Sequence, residues 1–537
     1  DLYFRSSGQV IYSPDHFFQP VTHLDPLSDQ AYQMEYDDYN LVAVSTETEF
    51  LGHQIRISGE LDYRTLQPLR LTDPNGNFQE VIFDALGMVV ATAIRGKNGE
   101  GDTLDNYQLP DLNAPEIIQE EALNDPHALL QSSSSFFYYN LFAYQENAKP
   151  NYALSLVREI HASEEQGTPS PTQLSFAYSD GLGQTIMQKV PAEPGLATVL
   201  VDGVIEEVNA PRRWVGNGRT IFNNKGMAIK QYEPYFSPTH EYENEPELVE
   251  YGVTPIMHYD PVGRNIRTDL PDGTFTKIEF DPWQQRTFDQ NDTVKDSQWY
   301  EDRGAPEDTE PEPQLNGHDP VAAERRAAWL ASAHYNSYKE EHLDSLGRVF
   351  LLVDDDGDDS EDNDLPIKVQ TRFVLNLQGS QVEVWDALGR QITINHFNLL
   401  QEPLKTQSMD AGCRWIFSNM LGNPIRQWND RGFTTRTEYD ALQRNIQTWV
   451  SDNGAAEKLV FLMVYGEQVT NPFPDNLIGQ IYSFYDQAGL THTPIYDFKG
   501  NPIEQLVNVA KEYKETIDYS AAANLTSANQ VTNNLVN

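Results

Sequence analysis

The densest set of ligand-type side chains in the chain is the acidic run Asp354-Asp355-Asp356-Gly357-Asp358-Asp359-Ser360-Glu361-Asp362. Within it Asp354, Asp356, Asp358 and Asp362 fit D-x-D-G-D-x-x-x-D, a spacing that can wrap carboxylate oxygens around a calcium ion. The run fails the EF-hand frame, because Leu352 and Asn363 would hold the first and last ligand positions, where Asp and a bidentate Glu are needed. The competing reading is a solvated acidic loop that joins two strands.

Other chemistry-bearing patterns are weaker. Glu47-Thr48-Glu49 has the E-x-E form of ADP-ribosyltransferases, but no companion S-T-S strand accompanies it, so alternating glutamates on an exposed strand edge are expected. Gly181-Leu182-Gly183 and Gly216-Asn217-Gly218 lack the third glycine of a dinucleotide fingerprint and read as hairpin turns. No H-E-x-x-H, G-x-S-x-G, C-x-x-C or Walker loop is present. With 81 acidic residues, carboxylate pairs at glycosidase spacing arise by chance. The twelve histidines are scattered, and His258 reads as a strand residue beside a turn. Cys413 is the single cysteine, which excludes an intramolecular disulfide and a cysteine-based zinc cluster. The expectation is no catalytic residue, no cofactor site and no assigned metal ligand.

The elements that would position any site are strands. Gln381-Val382-Glu383-Val384-Trp385 and Gln391-Ile392-Thr393-Ile394-Asn395 alternate apolar and polar residues with a period of two. Between them stands a turn with a fixed grammar: aromatic, Asp, two residues, Gly, often Arg. It reads Y-D-P-V-G-R from Tyr259 and W-D-A-L-G-R from Trp385, with variants from Leu343, Phe83, Tyr485 and Tyr496. Eroded copies start at Tyr439 and Phe280. Asp can accept from backbone N–H groups two residues on, and Gly supplies positive φ. The flanking Arg is expected to stack on an aromatic of the next hairpin, worth roughly 0.5–1 kcal/mol. One hairpin cannot bury its own face, so the repeats must stack into a continuous sheet.

Four stretches break the pattern. The region 98–125 reads as acidic loop. The region 301–318 carries Pro306, Pro311 and Pro313 and reads as extended loop. One short helix is expected near 320–334, capped by Asp319 with Pro320 in its first turn and anchored to the sheet by Trp329 and Leu330. The acidic run is the fourth.

Charge narrows the function classes. Against 37 Lys+Arg the 81 acids leave a net charge of −44, which argues against nucleic acid and anionic membrane as partners, since both are bound by cations. No apolar run approaches the length of a membrane span. A hydrophobic content of 39% is low for a large solid core, whereas 11% aromatics argue against disorder. The opening D-L-Y-F-R-S reads as a piece of something longer.

With these residues in view, the chain resembles the Rhs/YD-repeat superfamily, and within it the B component of bacterial insecticidal toxin complexes (Tc toxins). The segments that carry the resemblance are R-W-V-G-N-G-R-T-I-F-N-N-K-G from Arg213, K-Q-Y-E-P-Y-F-S from Lys230, T-P-I-M-H-Y-D-P-V-G-R from Thr254 and H-D-P-V-A-A-E-R-R-A from His318. The resemblance implies an all-β fold in which YD-repeat hairpins stack into a curved, hollow shell wall around a cytotoxic polypeptide. It implies 1–212 as the N-terminal part of that shell, 213–300 as shell core, 301–343 as a loop-plus-helix insertion and 344–537 as continuing shell. The implied partners are a C component that closes the shell and carries the payload, and a pore-forming A component reached through a propeller. No propeller-like repeats precede the YD region here, and the payload-cleaving Rhs signature with paired aspartates is lacking, so a wall segment from the C-terminal stretch of a B component is expected. It would be non-catalytic, assembled in the bacterial cytoplasm and then secreted. The rival is a teneurin-like adhesion protein, which shares the shell, but the EGF-like cysteine spacing expected of teneurins is absent. An inner face of Gln, Thr, Asn, Ser and aromatics, a negative wall and a basic cargo complete the expectations.

Overall fold

The structure is a computed structural model that describes residues 8–522 apart from 29, 251, 253, 308, 315–319, 359–365 and 513. Antiparallel strands dominate it. A 14-stranded sheet runs from Gln9–Ser13 to Tyr235–Ser237, and an 18-stranded sheet from Ile256–Tyr259 to Pro502–Val509. In the second sheet every strand pairs with its neighbour in sequence, as a stack of hairpins requires. The strand Arg213–Gly216 belongs to the first sheet, and the break between sheets falls within 238–255. The hairpin Thr220–Phe222/Ala228–Gln231 bridges that break: Gln184 Nε2 donates to Gly226 O at 2.9 Å and Tyr259 OH to Ala228 O at 2.9 Å. The wall is continuous through it.

Burial separates a single-layer wall from two larger cored regions and one small cluster under the helix at 320–332. Between Ala333 and Val450 no described residue is buried, so both faces of those strands stay wet, in line with the low hydrophobic content. The first sheet differs. Its strands Ser135–Asn140, Asn151–Arg158 and Thr172–Ser179 put Phe136, Leu154, Leu156 and Phe176 on one face, under the helices Pro115–Asn124 and Pro126–Leu130. Ile118, Ala122, Leu129 and Leu130 of those helices close the core with Trp214. The region 98–125 is therefore not all loop: Pro115 occupies the first turn of a ten-residue helix that has Glu116 at its positive end. A smaller core near the end of the second sheet covers Leu459, Leu462, Tyr485 and Leu490 with Ile517 and Tyr519.

The one expected helix spans Pro320–Ser332, and Asp319, expected as its cap, lies outside the described residues. Its anchor differs from expectation. Ala328 is the buried contact, against Val294 and Tyr300, while Leu330 is 43% exposed. Trp329 instead donates from Nε1 to Glu310 O at 3.1 Å, and Arg325 pairs with Glu310 at 2.6 Å, tying the helix to the proline-containing segment before it. The helix turns its small residues to the short helical segment 294–302 because Ala328 permits closer approach than an indole would.

The turns close as three-residue loops. At Asp260-Pro261-Val262-Gly263-Arg264, Gly263 N donates to Asp260 O at 3.0 Å and Asp260 N to Arg264 O at 2.9 Å, with Gly263 at φ 96°. This is a type I turn followed by a left-handed residue. Gly389 has φ 70° in the same slot, and Gln443 fills it at φ 64° in the eroded copy from Tyr439. Gly389→Val should therefore cost about 1–2 kcal/mol from the left-handed backbone, whereas Gly389→Asn should cost less than half of that. Urea midpoints of the two variants check the order.

Candidate functional site: the wall and its seam

Each repeat turn is held by one aspartate. Asp386 Oδ1 accepts from Leu388 N at 3.0 Å and Arg390 N at 2.8 Å, while Oδ2 pairs with the Arg390 guanidinium at 2.6 Å. Asp260, Asp344 and Asp440 repeat the arrangement with Arg264, Arg348 and Arg444. The Arg348 side chain and amide hold the Asp344 carboxyl down at about 2, against the ordinary 3.8. The expected stacking of these arginines occurs where Arg264 lies 4.1 Å from the Phe280 ring and Arg444 3.8 Å from Tyr465. Arg348 reaches across to Leu377 O at 3.0 Å instead.

Asparagine does the same work in turns that the aspartate grammar passes over. Asn376 Oδ1 accepts from Gln378 N and Ser380 N at 3.0 Å, and Asn398 and Asn419 accept likewise two and four residues on. The clamp needs one acceptor oxygen; the second oxygen adds the arginine.

The two faces of the second sheet are chemically distinct. Register places Arg267, Lys277, Arg286, Arg372, Lys405, Arg426 and Arg436 on one face with Trp385, Trp415, Trp428 and Trp449. Cations there sit over neighbouring rings, as Arg267 over Phe275 at 3.7 Å and Arg436 over Trp449 at 4.9 Å. The opposite face carries Thr268, Thr276, Thr371, Thr393, Thr406, Gln427, Thr435 and Thr448, with few charges. This second face has the Thr and Gln expected of a lining, but the tryptophans among the aromatics expected with them lie on the cationic face.

The candidate ligand residues are dispersed or built into strands. Asp354 to Asp358 lie in the strand Val349–Asp358, so the first half of the acidic run is not loop; Asp354 faces Val369 and Asp355 pairs with Lys368. Asp362 lies outside the described residues, as does the Asp358 side chain. Among the described residues no three His, Cys, Asp or Glu side chains gather as a metal site. Glu47 and Glu49 sit on an interior strand, not an edge, with Glu47 bound by Gln54 at 2.8 Å and Arg56 at 3.3 Å. Gly181–Gly183 is a hairpin turn; Gly216–Gly218 instead ends a strand, where a Cβ on Gly218 would lie 2.2 Å from Tyr232 O. His258 is a strand residue bonded to Asp269 at 2.7 Å. Lys189, fully buried, was not singled out by sequence. Burial pushes its ammonium pKa down, yet its three protons go to Ser237 Oγ, Thr239 O and Glu243, which leaves no lone pair for chemistry.

Turn tips of the first sheet meet turn tips of the second along a seam. Ser28 Oγ donates to Ala441 O at 2.8 Å. Further on, the Asn75 amide donates to Ile478 O and accepts from Ile478 N, both at 3.0 Å, imitating one rung of a ladder. Lys97 Nζ reaches Asn476 Oδ1 at 2.8 Å, and Lys499 Nζ reaches His161 Nε2 at 2.8 Å. Contacts advance in the same direction along both sheets, from Ser28 with Ala441 to His161 with Lys499. A chain doubling back would reverse that order. The wall therefore winds as a spiral, with roughly 21 to 25 strands per circuit.

No family model and no curated protein sequence matches the chain. Solved structures do. The crystal structure of TcdB2-TccC3 superposes with TM-score 0.76 at 19% identity, over 95% of this chain and 23% of that one. The fold is that of the Tc toxin B and C components. TcdB2-TccC3 without its hypervariable C-terminal region gives 0.75 at 17% identity, over 95% of this chain and 25% of that one. The Photorhabdus luminescens Tc holotoxin pore gives 0.76 at 18% identity over 96% and 25%. The chain thus spans about a quarter of the length of these Tc toxin chains.

The clamps and the seam make separate predictions. Because the Asp344 pKa is lowered in the fold, its contribution is complete above about pH 4 and is lost as pH falls through about 2. The difference in thermal midpoint between the native chain and Asp344→Ala should therefore be constant from neutrality to about pH 4 and shrink below it. Asp386→Asn, which keeps the acceptor, should lower the midpoint less than Asp386→Ala. At the seam, Asn75→Ala leaves both Ile478 backbone groups unpaired and should cost about 2–3 kcal/mol by chemical denaturation, against almost nothing for the exposed Asn98→Ala.

Proposed function

We propose that the chain is a non-catalytic wall segment of a Tc toxin shell that encloses a cytotoxic polypeptide and helps deliver it. The observation that carries this reading is the seam, whose contacts advance in register along both sheets. A wall that returns alongside itself encloses space. At ~4.8 Å per strand a circuit of roughly 21 to 25 strands has a perimeter of about 100–120 Å when strands run along the axis, and hence a backbone-to-backbone width of about 35 Å. Side chains take up ~5 Å on each side, which leaves ~25 Å. Extended polypeptide fits that bore; a folded 100-residue domain, of radius of gyration ~13 Å, does not.

The partners follow from the same reading. A C component closes the shell and supplies the payload, and a pore-forming A component receives it. The assembly is secreted after forming in the bacterial cytoplasm. A wall with a surplus of 44 negative charges holds a basic guest loosely and repels an acidic one, within a screening length of ~8 Å.

Protease protection tests the proposal. Within the full B–C assembly, a guest polypeptide should survive protease concentrations that digest the free guest within minutes, and basic guests should be retained better than acidic ones. Digestion of the guest at its free rate overturns enclosure. Turnover on a glycan or NAD panel, abolished by one carboxylate substitution, overturns the non-catalytic reading.

A further inference from the structure

One seam contact differs from the others in kind. His161 stands between Asp102 of the first sheet and Lys499 of the second, with Nδ1 at 2.7 Å from Asp102 Oδ2 and Nε2 at 2.8 Å from Lys499 Nζ. A lysine ammonium has three protons to give and no lone pair to offer. The Lys499 contact therefore requires Nε2 to be the acceptor, which places the ring proton on Nδ1, donating to Asp102. Only neutral imidazole satisfies both partners.

We infer that His161 is an acid-released latch between the two coils of the wall. Protonation puts an N–H on Nε2 and sets two cationic donors against each other about 3 Å apart, an arrangement no rotation of the ammonium relieves. The Asp102 carboxylate, whose side chain is wholly buried, accepts from Ser134 Oγ at 2.6 Å and Ala162 N at 2.7 Å, so it keeps its place and holds the imidazolium. The first sheet retains His161 and the second loses it. The charged groups around this pair are Arg158, 3.6 Å from Asp102 and tied to Glu165 at 3.0 Å, and Glu100 on the adjoining turn; from the second sheet come Lys499 and Asp497. Asp497 is occupied by Lys499 N and Asn501 N of its own turn, both at 2.8 Å. Phe498 packs edge-on to the His161 ring at 5.2 Å and lies against Gly96 and Gly101.

The release is local. Ser28 with Ala441 and Asn75 with Ile478 are uncharged contacts that acid leaves alone. Protonating a histidine takes only mild acid, whereas the Asp344 clamp holds to about pH 4. Mild acid thus frees the turn at Asp497–Asn501, while the hairpin that carries it stays anchored through Leu490 and the ladder to Ile481–Asp486.

Hydrogen exchange at pH 8 and pH 5.5, corrected for intrinsic rates, tests the latch on the whole chain. Amides at Lys499–Asn501 should exchange roughly five-fold faster at pH 5.5, with Asn75–Asn77 unchanged. His161→Gln keeps an acceptor for Lys499 and a donor for Asp102 without a titrating group, so the step should vanish. Lys499→Gln removes the repulsion and should abolish it as well, and this surface variant serves if the histidine variant fails to fold. Nitrogen-15 shifts of the His161 ring at pH 8 should report the Nδ1–H tautomer. An Nε2–H tautomer, equal protection at both pH values, or the same step in Lys499→Gln overturns the inference.

Discussion

Everything in this wall hangs on a side-chain oxygen placed between two backbone amides. An acceptor at the first residue of the turn, bonded to the N–H groups two and four residues on, sets the loop at three residues and forces the last of them into the left-handed region. A fixed loop length fixes the register of the flanking strands, and register decides which side chains share a face. Sheet continuity, the cationic face and the alignment of turn tips along the seam are downstream of that one local bond pattern. Arginine reinforces it where aspartate leaves an oxygen spare, and asparagine maintains it without that help.

Stability is distributed unusually. In most domains a buried apolar centre carries the fold, but through the span 333–450 this protein has none among its described residues. What replaces it is lateral: ladder hydrogen bonds, turn clamps, and cations laid over rings on the adjacent strand, each worth about 1 kcal/mol or less. True cores appear where the sheet meets other elements, under the helices at 115–130 and under the segment ending near Ala522. A curved single layer cannot cover itself, and these two patches hold the largest fully buried side chains, Trp214 and Tyr485 among them.

The repeat was legible because its chemistry is local. Tyr259-Asp260 and Trp385-Asp386 announce turns, and alternation announces strands. Turns at Asn376, Asn398 and Asn419 escaped the same reading because the grammar demanded an acid where the geometry demands only an acceptor. The helix at 115–124 was hidden by its setting, an acidic stretch in which Pro115 reads as a breaker as readily as a starter. Trp329 was assigned the anchoring role by size, but close helix approach selected Ala328. None of the seam was legible. Its partners lie hundreds of residues apart, and nothing in the sequence near Asn75 or His161 marks them as partners of Ile478 or Lys499. Which turns touch depends on how many strands make a circuit, a property of accumulated twist and not of any motif.

A spiral differs from a ring in how it grows. The number of strands per circuit sets the bore, and it is decided by twist; the number of circuits sets the depth, and it is decided by how many repeats the gene encodes. Capacity can therefore change by duplication or loss of hairpins without altering the diameter or any existing contact except at the two ends. Evolution of such a container is metered in units of one hairpin, and a longer payload asks of its wall only more of the same sequence.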